Sequence, residues 1–165
     1  MVTFTDESAI YLGGVEVRMR YFGRGHTDGD AVVYFPDLRA VHMGDLFVVL
    51  DRPPIIDYNG GGSTLVWKQT LRNVLNKLDF DAVIPGHGPV SARADVERFI
   101  TRLDTLHSRS IDLIRKGVLK EQLVSQLKLD DLNWVNAETG KVDPTVGWAM
   151  NIGPFYDELA ATIRQ

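Results

Sequence analysis

Apolar and polar residues alternate along the first fifty positions, which is typical of β-strands that bury one face. The alternation is clearest over 15–21, where the apolar side chains are Val15, Val17, Met19 and Tyr21. A shorter strand is expected around 9–12, and Gly13-Gly14 between the two segments predicts a hairpin turn. A second hairpin is predicted over 31–43, with Pro36-Asp37 at its turn.

A helical period replaces the alternation after residue 63. Ser63 is the expected N-cap of a helix whose apolar stripe continues to Leu78. The short apolar run 82–84 predicts a buried strand. Ser91 is expected to cap a long helix, and Gly117 suits the position just after its last turn.

Two shorter helices are expected near the C-terminus. One carries Leu119, Leu123 and Leu127. The other begins with Asp143 as its cap and is interrupted by Gly153-Pro154. Strands come first, followed by helix, strand and helices, so the fold class is α/β or α+β. We expect residues 1–165 to form a single domain.

Composition excludes several classes of protein. A chain of 165 residues with 44% hydrophobic residues is typical of one globular domain. Its net charge of −4 argues against nucleic-acid binding, which depends on a basic face. The absence of cysteine excludes disulfides, thiolate metal sites and a cysteine nucleophile. No apolar run reaches the roughly 18 residues of a membrane span. The N-terminus shows no export signal, so we expect a cytoplasmic protein.

Three residues combine metal-binding chemistry with an unusual position. His26, Asp45 and His87 each follow a predicted strand directly and are flanked by glycine. Ligands of α/β sheets bind at such strand ends, and glycine permits close approach of the backbone to a bound group. Imidazole and carboxylate together suit zinc, iron or manganese. Each residue alone is weak evidence for a metal site, whereas the three together are more specific.

The other polar residues have simpler interpretations. His42 is expected to be structural, because period two places it opposite Val41, Met43 and Asp45. His107 is expected to be a solvated or boundary residue of the long helix. The glycines at 60–62 form either an anion-binding nest or, more simply, a flexible loop leading into a helix cap.

Two further groups keep a structural and a functional interpretation side by side. Asp28 and Asp30 either orient His26 or bond to the amides of their own loop, and the second role is favoured. Residues 57–59, which are Asp57, Tyr58 and Asn59, are placed to line a substrate pocket, although their spacing does not require it. The three tryptophans are expected to pack helices; they are Trp67, Trp134 and Trp148.

Three motifs in order resemble those of a known family. They are Gly-His-Thr-Asp-Gly-Asp at 25–30, Gly-Asp-Leu-Phe at 44–47 and Pro-Gly-His-Gly at 85–88. Together they resemble the later motifs of the metallo-β-lactamase superfamily, particularly its branch of hydroxyacylglutathione hydrolases. The resemblance covers about residues 2–120. It implies that His26 binds a first metal, that His87 binds a second, and that Asp45 bridges the two. In complete relatives the metals activate water to attack a carbonyl and stabilise the oxyanion.

The sequence also departs from that family. The His-x-His-x-Asp-His signature of the family's first half is missing, and no histidine precedes His26. The resemblance therefore implies half of an αββα sandwich, with a mixed sheet covered by helices on one face. Three ligands are too few to close two metal sites, so zinc, iron or manganese is expected to bind weakly or not at all.

Half a sandwich leaves one apolar sheet face bare, which a soluble monomer rarely tolerates. We therefore expect either a homodimer or a complex with a chain that supplies the first half. Two functions remain open from the sequence. One is a metal-dependent hydrolase that is incomplete as a single chain. The other is a non-catalytic, self-associating binding or scaffold module that retains His26, Asp45 and His87 as leftovers. A fragment of a longer enzyme and a single weak structural metal are further possibilities.

Overall fold

The computed structural model describes residues 3–50, 53–132, 134 and 151–163. Six strands in these residues form one mixed sheet whose spatial order follows the chain. They are β1 Glu7–Leu12, β2 Val15–Tyr21, β3 Ala31–Phe35, β4 Ala40–Gly44, β5 Ala82–Pro85 and β6 Ser91–Ala92. Neighbouring strands are antiparallel except β4 and β5, which run parallel. A parallel pair needs a crossover, and a helix lies between these two strands in the sequence.

The helices and one sheet face share a single hydrophobic core. The helices among the described residues are α1 Thr64–Lys77, α2 Arg93–Arg115, α3 Leu123–Gln126 and α4 Ile152–Ile163. Val32, Val41 and Val83 from the sheet are fully buried, as are Trp67 and Leu71 of α1. This architecture confirms the predicted α/β class, with helices on one face of a mixed sheet.

The opposite sheet face is apolar and much less covered. Cross-strand pairing places Met19, Val33 and His42 in one row across it, and all three are half-buried. Towards the β1 edge the face becomes exposed, with Ile10 at 52% and Leu12 at 78% of their full accessibility. We call this surface, which β1 to β5 present away from the helices, the open face.

Both hairpins and the end of the long helix were predicted correctly. Gly13 and Gly14 have positive φ values, which glycine adopts at little cost, and they join β1 to β2. Gly117, at φ +82°, follows the last turn of α2 and donates its N–H to the Ile114 carbonyl. Val118 donates to Leu113, so the helix ends in a Schellman motif.

Ser63 was predicted correctly as the N-cap residue of α1, whereas the predicted cap of α2, Ser91, was wrong. Ser63 occupies the N-cap position of α1, but its side chain makes no capping hydrogen bond and donates to Glu158 instead. Ser91 lies in β6 and donates to the Pro89 carbonyl at 3.0 Å. The N-cap of α2 is Ala92, whose N–H donates to the Asp95 carboxylate at 2.8 Å. The Ser63 hydroxyl thus binds a residue of another helix, and the Ser91 hydroxyl binds a carbonyl two positions before it in the chain.

The C-terminal helices also differ from expectation. Gly153-Pro154 does not interrupt a helix, because α4 begins at Ile152 and contains both residues in its first turn. Proline is tolerated there, since the amides of a first turn have no partner within the helix. Asp143 and Trp148 lie outside the described residues. The helix expected around Leu123 is a 3₁₀ turn, Lys120–Gln122, followed by the single turn of α3. None of the described helices has the length and apolarity to cross a bilayer.

Candidate metal centre

The three predicted ligands come together at one edge of the sheet. His26 lies in the loop after β2, Asp45 follows β4, and His87 follows β5. Because β4 and β5 are parallel, and β2 runs in the same direction as β4, all three strands end at that edge. The residues line one pocket, whose remaining walls are apolar: Val48, Leu50, Pro54 and Ile55.

Asp45 stands between the two imidazoles. His26 Nε2 lies 3.6 Å from Asp45 Oδ2, and His87 Nε2 lies 3.4 Å from Asp45 Oδ1. Both separations are longer than ordinary hydrogen bonds. Ligands at about 2.0–2.2 Å from a tetrahedral zinc ion lie about 3.3–3.6 Å from each other. The separations therefore suit a cation held between each imidazole and its carboxylate oxygen better than direct contact.

The coordination shell is not closed by these residues alone. The part of the chain that the structure describes contains no group of three or more His, Cys, Asp or Glu side chains that could hold a metal ion by itself. The two imidazoles approach different oxygens of Asp45, so the three side chains do not surround one point. A stable site on these residues needs further ligands.

His26 has the orientation of a metal ligand. Its Nδ1 lies 2.8 Å from the Ile55 carbonyl oxygen, so we assign the ring proton to Nδ1. This leaves the Nε2 lone pair facing Asp45 and free to bind a cation. Histidine ligands commonly donate their second ring N–H to a carbonyl or carboxylate in this way. Trp67 lies beside the ring, with the centroids 6.3 Å apart, and its Nε1 donates to the Leu46 carbonyl.

Glycines bring the strand ends close enough for Asp45 to reach both histidines. Gly44 has a φ of +52° and turns the chain at the end of β4. A Cβ on Gly86 would lie 2.2 Å from Asp45 Oδ1 and 2.8 Å from the Gly44 carbonyl oxygen. The backbone at Gly86 therefore packs directly against the Asp45 carboxylate.

The glycine loop does not form an anion-binding nest. The amide of Gly60 donates to the Asp57 carboxylate, and those of Gly61 and Gly62 donate to the carbonyls of Tyr58 and Asp57. The Ser63 amide donates to Gly25. No amide of 60–63 is left to bind an anion. Residues 57–59 serve this loop and do not appear among the residues that line the metal-site pocket.

The loop that carries His26 is held by Asp30. Its carboxylate accepts hydrogen bonds from the Thr27 amide at 3.0 Å and from the Thr27 hydroxyl at 2.6 Å. The structural interpretation of Asp30 is therefore confirmed. Asp28 contributes its backbone amide, which donates to the Gly60 carbonyl.

The remaining histidines lie away from the pocket. His42 lies on the open face and accepts a hydrogen bond from the Gly44 amide at 3.2 Å, whereas Val41 and Met43 are buried on the other side, as predicted. The prediction for His107 was wrong, because this side chain is buried, with 4% of its accessibility left. It faces inward beneath α1 and hydrogen-bonds to Thr64. The pKa of His107 is lowered from 6.5 to about 4, chiefly because the side chain is buried and in smaller part because Lys68 is near, while Asp104 opposes the shift.

The packing role of the tryptophans is confirmed where they are described. Trp67 is fully buried and Trp134 retains 2% of its accessibility. Sequence reasoning missed Glu158 of α4, whose carboxylate binds the N-terminus of α1. Glu158 belongs to no motif, and its partners are about a hundred positions away in the chain, so the sequence carried no signal for it.

Comparison with known proteins supports the fold. No family model matches the sequence. The chain is 30% identical over 111 residues to the 2,4-dinitroanisole O-demethylase subunit alpha of Nocardioides sp. (strain JS1661). That match covers 66% of the chain but only 32% of the demethylase subunit.

Solved metallo-β-lactamases match a slightly smaller fraction of the chain. A metallo-β-lactamase from Pontibacter korlensis superimposes with a TM-score of 0.55 at 21% identity. The DIM-1 metallo-β-lactamase does so with a TM-score of 0.53 at 26% identity. Each match covers 62% of the chain and 47% of the lactamase. The sec-alkylsulfatase Pisa1 from Pseudomonas sp. matches 98% of the chain with a TM-score of 0.67, at 14% identity and over 26% of its own length.

These likenesses show that the chain has a metallo-β-lactamase fold, which supports a hydrolase-like architecture. The chain spans 47% or less of every relative described above. The narrower assignment to the hydroxyacylglutathione hydrolase branch stays a prediction.

Proposed function

We propose that the chain is part of a metal-dependent hydrolase and that His26, Asp45 and His87 are ligands of its metal centre. The observation that carries this proposal is the placement of Asp45 between the Nε2 atoms of both histidines, at 3.6 and 3.4 Å. The hydrogen bond from His26 Nδ1 to Ile55 supports it, because it leaves Nε2 available to a metal. Zinc suits this donor set best, although iron and manganese also bind imidazole and carboxylate ligands.

A divalent metal bound here supplies water whose pKa is lowered to about 7. The chain itself contributes two imidazoles, one carboxylate that would offset the charge of a bound metal, and a pocket that is otherwise apolar. No other titratable side chain lines the described part of the pocket. A general acid must therefore come from elsewhere or be absent from the reaction.

We propose further that the centre is completed by a segment that packs on the open face and carries the missing ligands. The matched metallo-β-lactamases are about twice as long as the part that this chain covers. A second copy of this chain would bring only another His26, Asp45 and His87. A segment resembling the family's first half would bring the His-x-His-x-Asp-His ligands. The chain alone is thus expected to bind metal weakly and not to turn over substrate.

The apolar pocket wall indicates the substrate class. Leu50, Pro54 and Ile55 place hydrocarbon beside the proposed metal ligands. This surface favours a substrate whose labile bond is attached to an apolar alkyl or aryl group. The names of two relatives, a 2,4-dinitroanisole O-demethylase subunit and a sec-alkylsulfatase, denote enzymes that act on such compounds. We expect the same broad class here.

The competing function is a scaffold module that retains the three residues without using them. The exposed apolar residues of the open face favour it, as does the lack of a closed ligand set in the described residues. Metal binding separates the two functions, because a scaffold has no need for an affinity that depends on His26 and Asp45.

The test is zinc binding by equilibrium dialysis. The wild-type chain should bind about one equivalent of zinc per chain, and His26→Ala and Asp45→Asn should each weaken binding at least tenfold. Asp37→Asn is the matched control, since Asp37 is an exposed carboxylate in the turn between β3 and β4. It should bind like the wild type. Equal zinc binding by all four proteins, or none by any, would reject the metal centre and favour the scaffold.

A further inference from the structure

The carboxylate of Glu158 connects α4 to the start of α1. It accepts hydrogen bonds from the Ser63 hydroxyl, from the Thr64 amide at 3.0 Å and from the Tyr58 hydroxyl at 3.1 Å. Ser63 and Thr64 are both buried, with 2% or less of their accessibility left. One side chain therefore satisfies the N-terminus of α1, the serine hydroxyl beside it and a tyrosine in the preceding loop.

The loop that Glu158 binds is also the loop that holds His26. The Ile55 carbonyl accepts the hydrogen bond from His26 Nδ1 at 2.8 Å, and the Asp57 amide donates to the His26 carbonyl at 2.9 Å. At the end of the loop, Ser63 donates its amide to the Gly25 carbonyl at 2.9 Å. The loop thus contacts the backbone and the imidazole of the predicted ligand, while Glu158 holds the loop at Tyr58 and Ser63.

We propose that Glu158 is a positioning residue for the metal centre. By holding the loop from Ile55 to Ser63, it keeps the Ile55 carbonyl on His26 Nδ1 and so keeps Nε2 directed at Asp45. The C-terminal helix thereby becomes a determinant of metal affinity, although α4 contributes no side chain to the pocket lining. This inference rests on the proposed metal centre for its effect on affinity, but its effect on the His26 ring can be measured without metal.

Docking of α4 does not depend on Glu158. Phe155, Leu159 and Ala160 are buried in the core and anchor the helix. Next to Glu158, Asp157 accepts a hydrogen bond from Lys120 at 2.6 Å, an exposed contact with a residue outside the loop. Replacing Glu158 should therefore release the loop with the helix still in place. Replacing Asp157 should weaken an exposed contact of the same helix and leave the loop unchanged.

The experiment compares Glu158→Ala, Glu158→Gln and Asp157→Ala with the wild-type chain. The first readout is the tautomer and ring environment of His26, taken from ¹⁵N-detected imidazole signals without metal at pH 8. The signals are assigned by their loss in His26→Ala. The second readout is zinc affinity. We expect Glu158→Ala to lose the pure Nδ1–H signal of His26 and to bind zinc about tenfold more weakly. Glu158→Gln, which keeps one acceptor oxygen, should be intermediate, and Asp157→Ala should match the wild type.

Two outcomes would overturn the inference. One is an unchanged His26 signal in Glu158→Ala. The other is an equal change in Asp157→Ala, which would mean that any loosening of α4 has this effect. If the wild-type chain binds no zinc, the proposed function fails, and the His26 signals alone decide the role of Glu158.

Discussion

Asp45 lies between the two histidines, and glycines at the ends of β4 and β5 shape this position. Gly44 turns the chain at the end of β4 with a positive φ, and Gly86 lies against the carboxylate at the end of β5. The three motifs predicted that His26, Asp45 and His87 meet here. Their glycines predicted that the backbone can come close to a bound group. The hydrogen bond from His26 to the Ile55 carbonyl could not be predicted, because any residue type supplies a carbonyl and the spacing carries no signal.

Adding a methyl group at Gly86 should therefore damage the site. In Gly86→Ala the new Cβ would lie 2.2 Å from Asp45 Oδ1, so the carboxylate or the strand end must move. We expect zinc binding to be lost and the free energy of unfolding to fall by about 1–3 kcal/mol, as for other overpacked sites. Urea denaturation and zinc dialysis measure both effects.

Gly29→Ala is the matched control. Gly29 lies in the His26 loop, and a Cβ there meets no atom within 4 Å. Its stability should stay within about 0.5 kcal/mol of the wild type. If Gly86→Ala behaves like Gly29→Ala, the close packing around Asp45 is not as described.

Burial of His107 should make stability depend on pH in the mildly acidic range. Its pKa is lowered from 6.5 to about 4 in the folded chain, so between these values the unfolded state binds the proton more readily. The free energy of unfolding therefore has its full value above pH 6.5 and falls as the pH drops towards 4. Between pH 7 and pH 5, proton binding to His107 in the unfolded state should lower the free energy of unfolding by about 2 kcal/mol.

The variant His107→Gln isolates this contribution. It retains a side chain that can hydrogen-bond to Thr64 but cannot take up a proton. Urea denaturation at pH 7 and pH 5 should show that the variant loses about 2 kcal/mol less unfolding free energy over this range than the wild type. The same loss in both proteins would mean that His107 is not the titrating group.

At the scale of elements, the sequence predicted strands, helices and the start of α1 well and cap hydrogen bonds poorly. Hydrophobic periodicity located α1 and α2, because it depends on the burial that the fold requires. A capping serine is a local preference worth only about 1 kcal/mol, so another hydrogen-bond partner can displace it. Glu158 of α4 is such a partner for Ser63, and the Pro89 carbonyl, two positions away in the chain, is one for Ser91.

Two glycines at helix ends should respond to alanine in opposite ways. Gly117 has φ +82° after α2, and a Cβ there meets no atom within 4 Å, so only backbone strain opposes the substitution. We expect Gly117→Ala to lose about 1–2 kcal/mol of stability. Gly153 lies within the first turn of α4 with space around it, so Gly153→Ala should be neutral or gain up to about 1 kcal/mol. Thermal or urea unfolding tests the pair, and a loss at both positions would contradict this account.

For the whole molecule, the open face is the feature that the missing half of the sandwich explains best. The sequence predicted it only through the family resemblance, because alternation alone does not say what covers each face of a sheet. Its exposed end includes Ile10, Leu12 and Val15. Apolar surfaces of this kind generally mark a contact with another protein or segment.

Without its proposed partner segment, the chain should associate through the open face. We expect sedimentation velocity to show dimers or larger species for the wild type at micromolar concentration. Val17→Lys, opposite Ile10 on this face, should shift the chain to monomer. Val66→Lys, at an exposed position on α1, should not. A wild-type chain that stays monomeric, or equal effects of both lysines, would contradict the role given to this face.

The proposed metal centre of His26, Asp45 and His87 can be located in a crystal structure of the zinc-loaded chain, with anomalous diffraction recorded at the zinc absorption edge. We expect an anomalous peak within bonding distance of Asp45 and of the Nε2 atom of at least one of the two histidines. A peak confined to other residues, or no peak in this pocket at saturating zinc, would contradict it.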